Sequence, residues 1–174
     1  MSYKSLNDIV IALSDGLRPP ERLTVSEAAE KYVYLNNPGS YIGPYVNSSA
    51  WYMVEPMNEL ASRDKDALIF VGPAQAGKTQ SLLLNWLAYS VVVDPMDMIL
   101  YSPTSRAARD FSIRRVDRLH RHSKNVGKRL LKKRDSDNTF DKKYDNGMLL
   151  SLSHPSVTEF AGRPIARVGL TDYD

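Results

Sequence analysis

The chain has 174 residues, 43% of them hydrophobic and 25% charged, with 9 glycines, 10 prolines and no cysteine. That length suits one domain with a sizeable core, and that balance excludes a largely disordered, collagen-like or proline-rich chain. The absence of cysteine excludes disulfides, thiolate zinc sites and cysteine nucleophiles, and the net charge of +3 hides an asymmetry: residues 106–134 carry 12 Lys/Arg against 2 Asp/Glu, between two acidic flanks.

In chain order, Leu6, Ile9, Val10, Leu13 and Leu17 recur at helical spacing, which predicts an amphipathic helix over 2–17 that Pro19-Pro20 ends. This helix is expected either to pack on the domain's own core or to dock a partner. Thr24-Val25-Ser26-Glu27 carries the spacing of a capping box and opens a second helix. Asn36–Ser40 marks a loop, Tyr41–Ala50 reads as ordered loop, and Trp51–Ser62 reads as a helix interrupted at Pro56. Ala67–Val71 is a continuous apolar run ending at Gly72-Pro73, the pattern of a buried parallel strand, and a strongly apolar helix is predicted over 78–91. Met98–Tyr101 predicts a second buried strand and 104–121 a helix, followed by a charged helical tail and loop over 122–146. Met148–Leu152, Thr158–Phe160 and Arg167–Leu170 read as strands. Strands alternating with helices predict an α/β fold with a parallel sheet. No apolar run approaches the roughly 18 residues of a membrane span, and the N-terminus lacks a signal peptide's pattern, so no membrane partner is expected.

Gly72-Pro73-Ala74-Gln75-Ala76-Gly77-Lys78-Thr79 matches G-x-x-x-x-G-K-[ST], between an apolar run and a helix, with Gln80 following. Glycines let the backbone curl so that N–H groups converge on phosphate, and the helix start adds its partial positive charge. Lys78 is the expected partner of the β- and γ-phosphates and Thr79 the expected hydroxyl ligand of Mg²⁺, which makes ATP and Mg²⁺ the expected cofactors. Asp172, after the apolar strand that ends at Leu170, is the candidate acid on the metal side. His120, His122 and His154 are scattered with no carboxylate or cysteine pattern around them, which argues against zinc.

These motifs, in this order, resemble the N-terminal ATPase part of a phage terminase large subunit of the lambda-type branch. The resemblance runs from about Leu23 to Asp174. It is carried by Leu23–Ala29, Tyr41–Tyr45, Glu55-Pro56-Met57, the phosphate loop with Gln75, Asp94-Pro95, Ser102-Pro103-Thr104, Ala161-Gly162-Arg163-Pro164 and the closing strand. It implies a P-loop NTPase of the ASCE type, a parallel sheet flanked by helices and ending after the Walker B strand. Residues 1–22 would form a helical segment ahead of an ATPase domain over 23–174, and a C-terminal nuclease domain would lie outside a truncated chain. The implied activity is ATP hydrolysis that packages double-stranded DNA into procapsids. The implied partners are DNA, the portal protein, the terminase small subunit and other copies in a ring, all in the host cytoplasm. Tyr41 matches an aromatic that packs on adenine, with Tyr45, Trp51 and Tyr52 as competitors. Gln75 stands where some relatives carry arginine, which leaves Arg163 as the candidate arginine finger; the alternative for Arg163 is a surface pair with Glu159. Family members usually have Asp-Glu at the closing strand, whereas here Asp172 is followed by Tyr173, so the catalytic base is unassigned. A register slid by one residue would put Thr171 first and make Asp172 the base.

The basic segment pairs an apolar stripe, Phe111, Ile113, Val116 and Leu119, with a broad basic face. Arg114, Arg115, Arg118 and Arg121 are the candidate DNA-phosphate contacts; a solvated face, or one that meets an acidic neighbour, is the alternative. Two other functions compete with the packaging motor: another P-loop helicase or translocase, and a non-hydrolysing module that grips DNA or portal.

Overall fold

The computed structural model describes residues 21–132, 136–156 and 165–171. The helix expected over 2–17 and the strand expected over 158–160 lie outside them, as do Arg163 and Asp172. Helix α1 (Val25–Tyr32) starts at the capping box read from the sequence: Glu27 N donates to Thr24 Oγ1 at 3.3 Å, and Thr24 N donates to the Glu27 carboxylate at 2.8 Å.

The stretch after α1 departs from the loop reading. Strands β1 (Tyr34–Asn37) and β2 (Tyr41–Pro44) form an antiparallel hairpin, with Gly39 at φ 83° in its turn. Only the turn was legible, because both strands are short and show no apolar alternation. A 3₁₀ segment (Asn47–Met53), broken at Ala50, leads into α2 (Val54–Glu59). Pro56 does not interrupt this helix. It sits in the first turn, where backbone N–H groups have no intrahelical partner to lose.

The helix after the phosphate loop opens as a π-helical stretch (Thr79–Leu84) and continues as α3 (Asn85–Val92). Residues 83–91 are all buried, which explains the apolar composition around the whole circumference. Helix α1 covers one side of α3. Strand β3 (Met98–Tyr101) is buried at every position, as a central parallel strand requires. Thr104 caps the following helix by accepting from Ala107 N at 3.1 Å. That helix runs as α4 (Ser105–Phe111), a π-helical stretch (Ser112–Val116) and α5 (Asp117–His122). A short α6 (Lys124–Arg129), β4 (Asp141–Lys143), β5 (Leu149–Ser153) and β6 (Arg167–Leu170) complete the described chain.

The sheet order is β4-β5-β3-β6. β3 pairs in parallel with β5 (Met98 opposite Leu150) and with β6 (Met98 opposite Arg167), while β4 is antiparallel to β5. The result is a mixed α/β architecture with a parallel centre, in agreement with the expected fold class at that level.

One expected strand is overturned. Ala67–Val71 is not a strand and pairs with nothing in the sheet. Phe70 packs against the core, but Ile69 and Val71 are 89% and 91% exposed. A short apolar run records only a tendency to be buried, and the described sheet ends at β6 without pairing to it.

Candidate nucleotide site

The glycine-rich loop is curled as its sequence demands. Gly77 takes φ 75°, a conformation that glycine adopts without strain, and Gln75 takes φ 59° despite its side chain. Left-handed residues among right-handed ones turn successive N–H groups to one side, the geometry of an anion nest. Lys78 Nζ folds back and donates to the Gly72 carbonyl at 2.5 Å, so its ammonium is held on the loop. Ser81 N donates to Gly77 O at 2.9 Å and closes the first turn of the helix behind it. The donor set fits a nucleotide phosphate chain: an ammonium, a curled run of amides and a hydroxyl at Thr79. Such residues can hold ATP with Mg²⁺ at Thr79, and the ion would supply charge neutralisation of the phosphate oxygens.

Packing against β6 holds the helix behind the loop. Gly169 on β6 lets the helix approach closely: a Cβ there would lie 2.6 Å from Leu100 Cδ2 and 3.0 Å from Leu83 Cδ2. The helix that starts at the loop thereby rests on the strand that leads to Thr171 and then Asp172. Thr171 N donates to Tyr101 O at 3.1 Å, which carries the parallel pairing one residue past β6. Ligands of open α/β sheets gather at the carboxyl ends of the strands, the side where β3 and β6 both end.

The far end of β6 is clamped by a group that pattern reading did not single out. Arg167 is 7% exposed, and donates to Ser90 Oγ at 2.7 Å, Asp94 O at 2.8 Å and Asp94 Oδ2 at 2.6 Å. Its guanidinium also lies over the rings of Trp86 and Tyr89, at 5.9 and 5.5 Å. Asp94-Pro95, read as a helix stop, is therefore also the anchor of the last strand.

The aromatic candidates separate. Tyr41 lies over its own hairpin, its hydroxyl donating to Pro44 O at 2.9 Å. Tyr45 is buried, with its hydroxyl 3.3 Å from Ser81 Oγ, and burial raises its pKa. Tyr52 reaches the loop itself and donates to the Ala76 carbonyl at 3.2 Å. Trp51, 76% exposed, stands edge-on to Tyr52 with ring centroids 6.1 Å apart. Among the four, Tyr52 is the one hydrogen-bonded to the phosphate loop.

The arginines of the basic segment also divide. Arg115 and Arg118 line a narrow crevice against β1 together with Gln80, and Arg118 donates to Asn37 Oδ1 at 3.4 Å. Arg121 instead faces a separate cleft beside α6 and β4. Arg114 is exposed and lines neither. Ser112–Val116 is wound as a π-helix, so the four do not follow one α-helical stripe.

Among the described residues there is no helix long and apolar enough to cross a membrane and no cluster of metal-ligating side chains. A mixed α/β domain with a parallel-centred sheet and helices is compatible with an ATPase domain. The family model described as phage terminase large subunit gpA, ATPase domain, matches residues 39–174, and the chain belongs to that family. No curated protein and no solved structure matches it.

Proposed function

We propose that the chain is the motor ATPase of a phage terminase large subunit, which hydrolyses ATP to drive double-stranded DNA into procapsids. The observation that carries this reading is the Gly72–Thr79 loop at the head of a helix whose Leu83 rests on Gly169 of β6. In this reading the ATPase domain spans 23–174, behind a helical segment over 1–22. Gly72–Gln80 wrap the phosphates, Lys78 neutralises their charge, and Thr79 with Asp172 holds Mg²⁺. Arg163 reaches the ATP of a neighbouring copy in a ring. An aromatic of the 41–52 region covers the base; Tyr41 is the family's position, and the Tyr52–Ala76 bond favours Trp51 and Tyr52. Portal protein and small subunit are the proposed assembly partners, in the host cytoplasm.

The test is nucleotide binding by titration calorimetry. Lys78→Ala removes the one ammonium on the loop, and charge-assisted bonds of about 1.5–3 kcal/mol predict an affinity loss of roughly ten- to a hundredfold. Unchanged affinity refutes the site. In the ring, Arg163→Ala should spare ATP binding and lower hydrolysis by about 10³-fold or more, the scale of an arginine finger.

A further inference from the structure

A cleft of about 750 Å³ opens between α5, α6 and β4, and none of its lining residues belongs to the phosphate loop. Its rim carries Arg121, Lys124, Lys128 and Lys132, all exposed. Among the described residues no carboxylate pairs with any of the four. The acids that line the cleft are already engaged: Asp117 and Asp137 both bind the buried Lys142 ammonium, at 2.8 and 2.9 Å. Two carboxylates sharing one ammonium leave the floor a single negative charge, against four cations on the rim.

The floor also holds an unsatisfied polar group. His120 is 8% exposed, with Nε2 2.9 Å from the Tyr144 hydroxyl, yet its buried Nδ1 has no hydrogen-bond partner. Buried polar nitrogens normally have one. Gly127 fixes the geometry. A Cβ there would meet the His120 carbonyl at 2.1 Å, so only glycine lets α6 lie this close to α5, with its lysines beside Arg121.

We infer that this cleft binds the sugar–phosphate backbone of a nucleic acid, through Arg121, Lys124, Lys128 and Lys132. The cations recur three or four residues apart in sequence across α5, α6 and the segment after it, a spread that suits a string of phosphates rather than one convergent anion. Among the described residues Leu130 is the one aliphatic side chain of the lining, so the described cleft offers little for a nucleobase. Lysines prevail, and lysine meets phosphate as a point charge without reading sequence. The inference rests on the DNA-motor reading for its purpose, not for its chemistry, and it moves the backbone contact from Arg114, Arg115 and Arg118 to the α5–α6 junction.

The experiment measures affinity of the full 174-residue chain for a 20-bp duplex of arbitrary sequence against salt concentration. Each lost phosphate contact lowers the log–log slope by about 0.9, so Lys124→Gln/Lys128→Gln should lower it by roughly 2. Lys124→Arg/Lys128→Arg should restore it, and Arg114→Gln/Arg115→Gln should leave it unchanged. Wild type that fails to bind duplex, or a slope lost in the Arg114/Arg115 variant and kept in the lysine variant, overturns the inference. Displacement of the duplex by millimolar inorganic phosphate, or by polyglutamate at equal charge, overturns it in favour of a free anion or an acidic protein. Calorimetry with ATP on the same samples keeps the two readings apart: cleft variants retain wild-type nucleotide binding, and a wild type that ignores ATP yet shows the cleft-dependent slope removes the motor reading alone. All substitutions are at exposed positions, and equal melting temperatures confirm that the fold is intact.

Discussion

Replacing Arg167 by alanine should be the most damaging change to the last strand. The guanidinium makes three hydrogen bonds, of which the one to Asp94 Oδ2 joins two charges. Removing one partner of a buried pair costs about 3–5 kcal/mol. Asp94 is 37% exposed, so water recovers part of that loss, and Ser90 Oγ keeps its bond to Trp86 O at 2.7 Å. Loss of the contacts over Trp86 and Tyr89 adds about 0.5–1 kcal/mol each. The balance is roughly 3 kcal/mol. At about 2–4 °C per kcal/mol for a chain of this size, the melting temperature should fall by about 6–12 °C in a circular-dichroism scan. Asp94→Ala should cost less on its own, and the double variant should show coupling above about 1 kcal/mol in a mutant cycle. A melt within about 2 °C of wild type for Arg167→Ala would show that the clamp contributes little and that β6 is held by its ladder with β3.

Three further outcomes follow from particular side chains. Gln75 occupies a left-handed conformation that glycine takes without strain, so Gln75→Gly should raise stability by about 0.5–1 kcal/mol in urea titrations; a fall would mean the Gln75 side chain makes a stabilising contact. Trp51 is 76% exposed beside the loop while Trp86 is 8% exposed, so ATP should change the emission of wild type but not of Trp51→Phe; nucleotide binding with no change in wild-type emission removes the base from Trp51. Burial, and then the charge of Lys142, lower the His120 pKa from 6.5 to about 4. The unfolded chain therefore binds the extra proton first as pH falls. The associated stability is complete above about pH 6.5 and is lost towards pH 4, by up to about 3 kcal/mol. His120→Asn should flatten that part of the stability profile, and an unaltered profile would locate the acid sensitivity elsewhere.

Much of the scaffold was legible because one-dimensional signals governed it. The capping box fixed the start of α1, the all-apolar Met98–Tyr101 run matched the buried central strand that forms there, and Thr104 marked the next helix. The curl of the Gly72–Thr79 loop was legible for the same reason, since its signal lies in consecutive residues. What escaped depends on partners distant in sequence. Ala67–Val71 has a strand's composition but is not paired into the described sheet. Arg167 within an apolar segment gave no hint of Ser90 and Asp94, more than seventy residues earlier. The hairpin over 34–44 is held by docking rather than by its own pattern: Tyr34 N donates to Ser123 Oγ at 3.0 Å and the Asn36 amide bonds His122. The basic segment was visible as charge, but its division between a crevice and a cleft depends on helix winding, which charge counting does not register.

The bond between Lys78 and the Gly72 carbonyl gives the loop an internal occupant. On the proposed reading, a nucleotide phosphate does not recruit a solvated cation from bulk water; it exchanges one acceptor for another on an ammonium already drawn onto the loop. The enthalpy released at the lysine is therefore the difference between two bonds. The side-chain entropy of up to about 2 kcal/mol that a free lysine would surrender has largely been given up in advance. In the proposed nucleotide site the Gly72 carbonyl is thus a competitor that phosphate must displace, while Lys78 is a rotamer that it need not order, and these two effects oppose one another in the expected affinity.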